Sequence, residues 1–278
     1  MRSSRPALAL LLVASLPAAL RPAALLPAVL LLAALPMAVA LPAHALTFHR
    51  PFGSVSVETS YDDHISGRSD PEVELYPSGN TDWRGALSLG GGTDLSFDDT
   101  WGLYVGGRLR GFRYLNYTDF SGMVGTATAE LSGYDLPLGL DAFLSYGYSA
   151  DGAQSQSHTA VVSLEKPLGE MLTVILAGGR YWHQTESAGL ANQGPFADAG
   201  IRMSFPTRTS VTALVSYLGR DYDYGRADRI LSASLSLSQR LWPGTYLRAN
   251  YRRDQADSNE PGRSFPGNAA TLGTSYYF

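Results

Sequence analysis

Cysteine is absent from the sequence, and Lys166 is the one lysine. Without cysteine there is no disulfide framework and no thiolate metal site, and a chain folding in an oxidising compartment runs no risk of mispairing. Beyond residue 46 two further things are scarce: apolar runs of the ~20 residues that a membrane-spanning helix needs, and segments with helical spacing. Residues 46–278 are therefore neither a helical membrane protein nor a helical bundle. The one long apolar tract stands at the start. Residues 1–45 contain Arg2, Arg5 and Arg21, no acid, and a run of Leu, Ala, Val and Pro that closes on Ala43, His44 and Ala45. A basic start, an apolar middle and a small-x-small end follow the order of a secretory signal, so residues 1–45 are expected to be a cleaved leader and 46–278 the mature protein. Pro22, Pro27, Pro36 and Pro42 break the helix that a membrane anchor would require. Removing the three leader arginines takes the formal net charge from −4 to −7. A charge of that sign argues against a nucleic-acid partner. No cofactor motif is present, and no cofactor is expected.

What fills the mature chain is alternation. In Leu231-Ser232-Ala233-Ser234-Leu235-Ser236-Leu237-Ser238 every odd residue is apolar and every even one is serine, a period of two that only a strand can use. Ala197 to Phe205 and Leu247 to Arg252 repeat it with charges on the second face. The pattern predicts twelve strands, near 53–61, 83–92, 101–114, 122–132, 138–148, 158–165, 171–182, 196–205, 209–219, 228–239, 245–254 and 268–278. Connections after even-numbered strands are tight, as at Tyr134 to Pro137, Lys166 to Glu170, Pro206 to Arg208 and Trp242 to Gly244. Those after odd-numbered strands are longer and polar, as from Asp62 to Asn80, Ala150 to Ser157 and Gln255 to Gly267. Short turns at one end and long loops at the other are the layout of an outer-membrane barrel, and an even strand count brings both termini to the periplasmic side. The fold expected is all-β, a transmembrane antiparallel up-and-down barrel. A soluble sandwich or lipocalin-like barrel shares the alternation but turns its apolar face inward. Aromatic residues near strand ends (Tyr61, Trp83, Trp101, Tyr114, Tyr146, Tyr148, Tyr181, Trp182, Tyr217, Trp242, Tyr251, Tyr276) favour girdles at two membrane interfaces, with lipid as the outer partner.

The chain ends Leu272-Gly273-Thr274-Ser275-Tyr276-Tyr277-Phe278, with Leu272, Tyr276 and Phe278 on one face. This resembles the C-terminal signature of bacterial outer-membrane proteins. The resemblance implies recognition by the barrel-assembly machinery and closure of the last strand on the first, which removes the edges lipid does not tolerate. A looser likeness covers about the last sixty residues: Tyr217, Arg220-Asp221-Tyr222 and Arg226-Ala227-Asp228 precede the Leu/Ser strand, and Tyr251-Arg252-Arg253 lead through Asp257-Ser258-Asn259 to the end. This stretch is similar to the barrel ends of porin-like families and of the surface lipoprotein assembly modifiers. The first strand begins within about ten residues of the expected cleavage site, leaving no space for the modifiers' helical-repeat domain, so their activity is not carried over.

With the polar face turned inward, Arg84, Arg108, Arg110, Arg180, Arg202, Arg248 and Arg252 line the lumen against Glu130, Asp141, Glu165 and Asp198. That balance is positive. Twelve strands lie between filled eight-stranded barrels and wide porins, so a narrow channel for small solutes is expected, with a constriction of Arg108, Arg110, Arg202 and Arg248 attracting small anions or acidic solutes. The same arginines could instead pair with the acids and fill the lumen of a structural or surface-interaction barrel. A third reading is an outer-membrane hydrolase built from Ser155, Ser157, His158, His183 and Glu186, with Asp62, Asp63 and His64 as further acids and base; no motif supports it, and the chain is read as a non-enzyme. Gly90-Gly91-Gly92, Gly106-Gly107 and Gly178-Gly179 sit inside strands and are read as permitting strong curvature or leaving space for bulky neighbours such as Phe143 or Arg180, not as phosphate loops. The acidic stretch of Asp62, Asp63, Asp70, Glu72 and Glu74 lacks the spacing of a calcium loop, and no metal is expected.

Overall fold

Alternation becomes a ladder wherever the apolar stripe of one strand meets that of the next. The computed structural model describes residues 47–49, 51–63, 81–116, 121–151, 155–186 and 190–278; the expected leader and His64, Asp70, Glu72 and Glu74 lie outside them. After a two-residue extended segment, Thr47–Phe48, come twelve strands: β1 (Phe52–Asp62), β2 (Asp82–Ser96), β3 (Trp101–Tyr114), β4 (Gly122–Leu136), β5 (Leu140–Asp151), β6 (Ser155–Leu168), β7 (Leu172–Thr185), β8 (Asn192–Phe205), β9 (Thr209–Tyr222), β10 (Ala227–Trp242), β11 (Thr245–Ser258) and β12 (Phe265–Tyr277). Each pairs antiparallel with the next. β12 then pairs with β1, from Ala269↔Asp62 to Tyr277↔Ser54, and closes the barrel. Phe278 finishes the seam: Gly53 N–H donates to its carbonyl at 2.9 Å and its own N–H donates to the Gly53 carbonyl at 3.0 Å. Among the described strands no edge is left open.

Orientation is decided by which stripe is covered. Leu231, Leu235 and Leu237 are 55%, 53% and 38% exposed, whereas Ser60, Ser88 and Asp254 on the other stripe are 7%, 4% and 3% exposed. Contacts that leap over an intervening strand occur on the polar stripe, as between Arg110 and Glu58 across β2 and between Arg202 and Glu165 across β7. Side chains converge in that way only on the concave face. The leucines therefore face outward, which excludes a soluble barrel with a greasy interior. Trp83 and Trp101 each stand exposed at the start of antiparallel neighbouring strands and so at opposite ends of the barrel, as interfacial girdles do.

Strand ends run further than alternation indicated. Within the expected loop from Ala150 to Ser157, β5 runs on to Asp151 and β6 already begins at Ser155, because Ser155 and Ser157 pair with Asp151 and Ser149 and face inward. A serine-rich strand that lines water reads like a loop. The Gln255 to Gly267 loop contracts likewise, since β11 reaches Ser258 and β12 begins at Phe265. At the periplasmic end Gly244 has φ +76° and a Cβ there would sit 2.4 Å from the Tyr277 carbonyl, so the β10–β11 turn requires glycine twice over.

Candidate functional site: the lumen

The register assigns each expected lumen residue. Arg108, mid-strand in β3, pairs with Gly90 and Thr126 and faces inward. Its neighbour on that face, Arg110, forms an ion pair with Glu58. Arg84 donates from Nε to Ser60 Oγ at 3.2 Å and lies 5.8 and 5.7 Å over the rings of Phe112 and Tyr114. Arg202 grips Glu165 with two bonds of 2.8 and 3.0 Å, and Arg252 lies 3.3 Å from Asp254. Arg248 donates to the Tyr277 hydroxyl at 2.8 Å. Asp198 pairs in register with Ala177 and Ser216 inside β8. Glu130 lies beside Ser145 in register, and Asp141 accepts the Asp135 N–H at 2.9 Å, so it shapes the β4–β5 turn.

Arg180 is on the other face. It pairs with Ala160 and Pro195, two positions beyond Gly178 on the stripe of the exposed Leu176, so it points to lipid. Val174 to Ala177 is apolar at every position and Gly178-Gly179 has no side chain, which hid the phase of β7 from the sequence. The charge balance changes as well. Glu58, Asp62, Asp82, Asp94, Asp151, Asp228 and Asp254 all take inward positions, so the lumen as a whole is not predominantly positive. What remains positive is an arc from Arg248 on β11 to Arg108 on β3. Sequence reasoning missed Glu58 although its strand was drawn correctly; its parity with Ser54, Ser56 and Ser60 was the available signal.

That arc borders an open space. A cavity of about 490 Å³ is lined by Ser54, Gly90, Gly106, Thr126, Thr128, Gly147 and Thr159, with Arg108 on its wall and Phe52, Tyr104 and Tyr277 beside it. Phe52 stacks 6.2 Å from Tyr104 and lies 6.4 Å from Tyr277. These rings link Arg108 to Arg248 along the periplasmic side of the cavity. The Arg108 side chain has no ion pair or hydrogen bond among the described residues, and Arg248 has no carboxylate partner there. The in-strand glycines do make room, but for other side chains than expected: Tyr104 occupies the space a Cβ would need at Gly92 and Gly106, and Phe196 does so at Gly179.

Toward the extracellular end the wall of β9 to β12 is filled by Ile230, Ala256 and Phe265 with Leu218 packed on them. Above it Arg226 binds Asp228 through bonds of 3.0 and 2.6 Å and stacks 4.6 Å over Tyr222. Burial by itself would lower the Arg226 guanidinium; hydrogen bonds to Asp228 and Tyr224, with the charge interactions of Tyr222 and Asp228, outweigh it and raise the group above its ordinary value. Of the hydrolase candidates, Ser157 and His183 meet, Oγ to Nδ1 at 2.7 Å. Asp151 is engaged instead with Ser155 Oγ at 2.6 Å. The other His183 nitrogen, Nε2, is buried with no hydrogen-bond partner. His158 faces outward toward Tyr146. At the C-terminal end of β12, Leu272 and Tyr276 are exposed on the outer face and Phe278 stacks 5.9 Å from Tyr276.

A closed twelve-stranded barrel, apolar outside and polar within, defines a porin-like barrel of the bacterial outer membrane. No family model and no curated protein matches the chain. Among solved structures, an outer-membrane channel from Pseudomonas putida F1 is similar over 85% of this chain and 99% of its own, with 14% identity and a TM-score of 0.56. A KdgM porin in complex with disordered oligogalacturonate covers 81% of this chain and 99% of its own at 9% identity and a TM-score of 0.47. An anion-selective porin from Comamonas acidovorans covers 84% and 100% at 10% identity and a TM-score of 0.42. The first likeness supports the fold; the other two, at their lower scores, add no argument.

Proposed function

We propose that the barrel is a passive channel for small solutes, with anions favoured where they pass Arg108 and Arg248. The observation that carries this reading is the cavity of about 490 Å³ with a guanidinium on its wall that no carboxylate neutralises. A fixed cation without a counter-charge in a confined aqueous space raises the local concentration of anions. Other lumen arginines are spoken for: Arg110 by Glu58 and Arg202 by Glu165, so they contribute dipoles in place of free charge.

Planar-bilayer recording under a salt gradient tests the proposal. Discrete conductance steps with a reversal potential on the anion side are expected, and Arg108→Ala should move that potential toward the cation side. Cation preference that Arg108→Ala leaves unchanged refutes anion selection. A silent bilayer refutes the channel and supports the second reading, a barrel whose filled lumen serves structure or surface contact, which the packed Ile230, Ala256 and Phe265 cluster favours. Catalysis is not part of the proposal, because among the described residues no carboxylate accepts a hydrogen bond from His183 Nε2 to orient the ring. We further infer that residues 1–45 are cleaved on export, and that the Leu272, Tyr276 and Phe278 face is what the assembly machinery reads.

A further inference from the structure

The outward position of Arg180 leaves a cation facing lipid in the extracellular half of β7. Its guanidinium lies 5.8 Å over the Trp182 ring and donates to Gln193 Oε1 at 3.2 Å. No carboxylate among the described residues pairs with it. Arg229, another outward arginine near the same rim, is different, for it holds Asp221 at 2.8 Å. Beside Arg180 on the outer face stands His158, paired in register with Trp182 and lying 5.2 Å from the Tyr148 ring. The outer stripe is small here: Ala160 stands level with Arg180, and one step toward the membrane centre Gly178 pairs with Ala197 on one side and Val162 on the other. The belt of leucines is thus interrupted by a flat strip roofed by an unneutralised cation and aromatic rings.

An arginine facing lipid destabilises a barrel, most at the midplane and less toward the interface, so a position of this kind favours an anion that comes with the lipid. We propose that this face binds the phosphate of an outer-leaflet glycolipid. The planar guanidinium takes the phosphate with two parallel bonds, Trp182 and Tyr148 sit at headgroup level, and acyl chains lie over Ala160, Gly178 and Ala197. The site is on the outside of the barrel and does not depend on the channel reading.

Native mass spectrometry of the detergent-solubilised barrel tests it, with diphosphorylated lipid A as probe and dephosphorylated lipid A of the same acyl chains as comparison. One diphosphorylated lipid per barrel is expected. Its retention should fall about tenfold in Arg180→Gln, the equivalent of one charge-assisted hydrogen bond. Arg180→Lys, which keeps the charge without the fork, should fall between, and Arg229→Gln should match the parent protein. Heat-modifiable migration on gels confirms that each variant is folded. Equal retention of both lipids, or no loss in Arg180→Gln, overturns the proposal. So does dissociation of an oligomer into single barrels in Arg180→Gln, which would show a second copy covering this face.

Discussion

The orientation of the stripes gives a paired test at mid-strand in β10. Leu235 points outward between Ala213 and Tyr251, and Ser236, one residue on, points inward where Asn250 Nδ2 donates to its hydroxyl at 2.6 Å. Leu235 is 53% exposed, so about half of its side chain gains from contact with lipid, worth about 1 kcal/mol. Placing arginine there adds about 2–4 kcal/mol. Leu235→Arg should therefore destabilise the barrel by about 3–5 kcal/mol, a factor of roughly 10² to 10⁴ in the folding equilibrium. Ser236→Arg loses one hydrogen bond in an aqueous space and should shift stability by about 1 kcal/mol. Urea titration of protein refolded into phosphatidylcholine vesicles, followed by tryptophan emission, measures both; the exposed Trp83, Trp101 and Trp242 report on lipid contact. If Ser236→Arg proves as damaging as Leu235→Arg, the apolar stripe does not face lipid and the reasoning fails.

Other outcomes follow from single contacts. Arg226→Gln leaves Asp228, 5% exposed, without its cation and should destabilise by about 3–5 kcal/mol in the same urea assay, whereas Arg226→Met with Asp228→Leu together should recover most of that. Because the Arg226 pKa is raised, its stabilising charge is present below the ordinary arginine range and is lost only above its folded value, so the effect should not vary across neutral pH. Gly106→Val puts carbon where the Tyr104 hydroxyl lies, 2.0 Å from the Cβ position; the ring must turn into the cavity, and single-channel conductance should fall. Deleting Phe278 removes two backbone bonds of the seam and should lower the fraction of heat-modifiable barrel recovered from cells. A fluorophosphonate probe should leave Ser157 unlabelled, as mass spectrometry of the treated protein would show.

Legibility from sequence tracked how sharply the two stripes differ. In β10 leucine alternates with serine, so strand, phase and facing could all be read from residues alone, and the same holds for β8 from Ala197 onward. Where one stripe lacks side chains or both are apolar, phase is lost, and Arg180 was placed in the lumen for that reason. Serines that line water cost strand ends at β6, because Ser155 and Ser157 carry no apolar partner to mark them. The finer properties of the lumen were beyond the sequence in another way. Whether an arginine carries free charge depends on a carboxylate two strands away, and Glu58 meets Arg110 only because β1, β2 and β3 are staggered so that Glu58 and Arg110 flank the small side chains of Ala86 and Ser88. Stagger is fixed by closure of the whole barrel, so the difference between neutralised Arg110 and unpaired Arg108, two residues apart on one strand, belongs to the ring of twelve strands and to no segment of it.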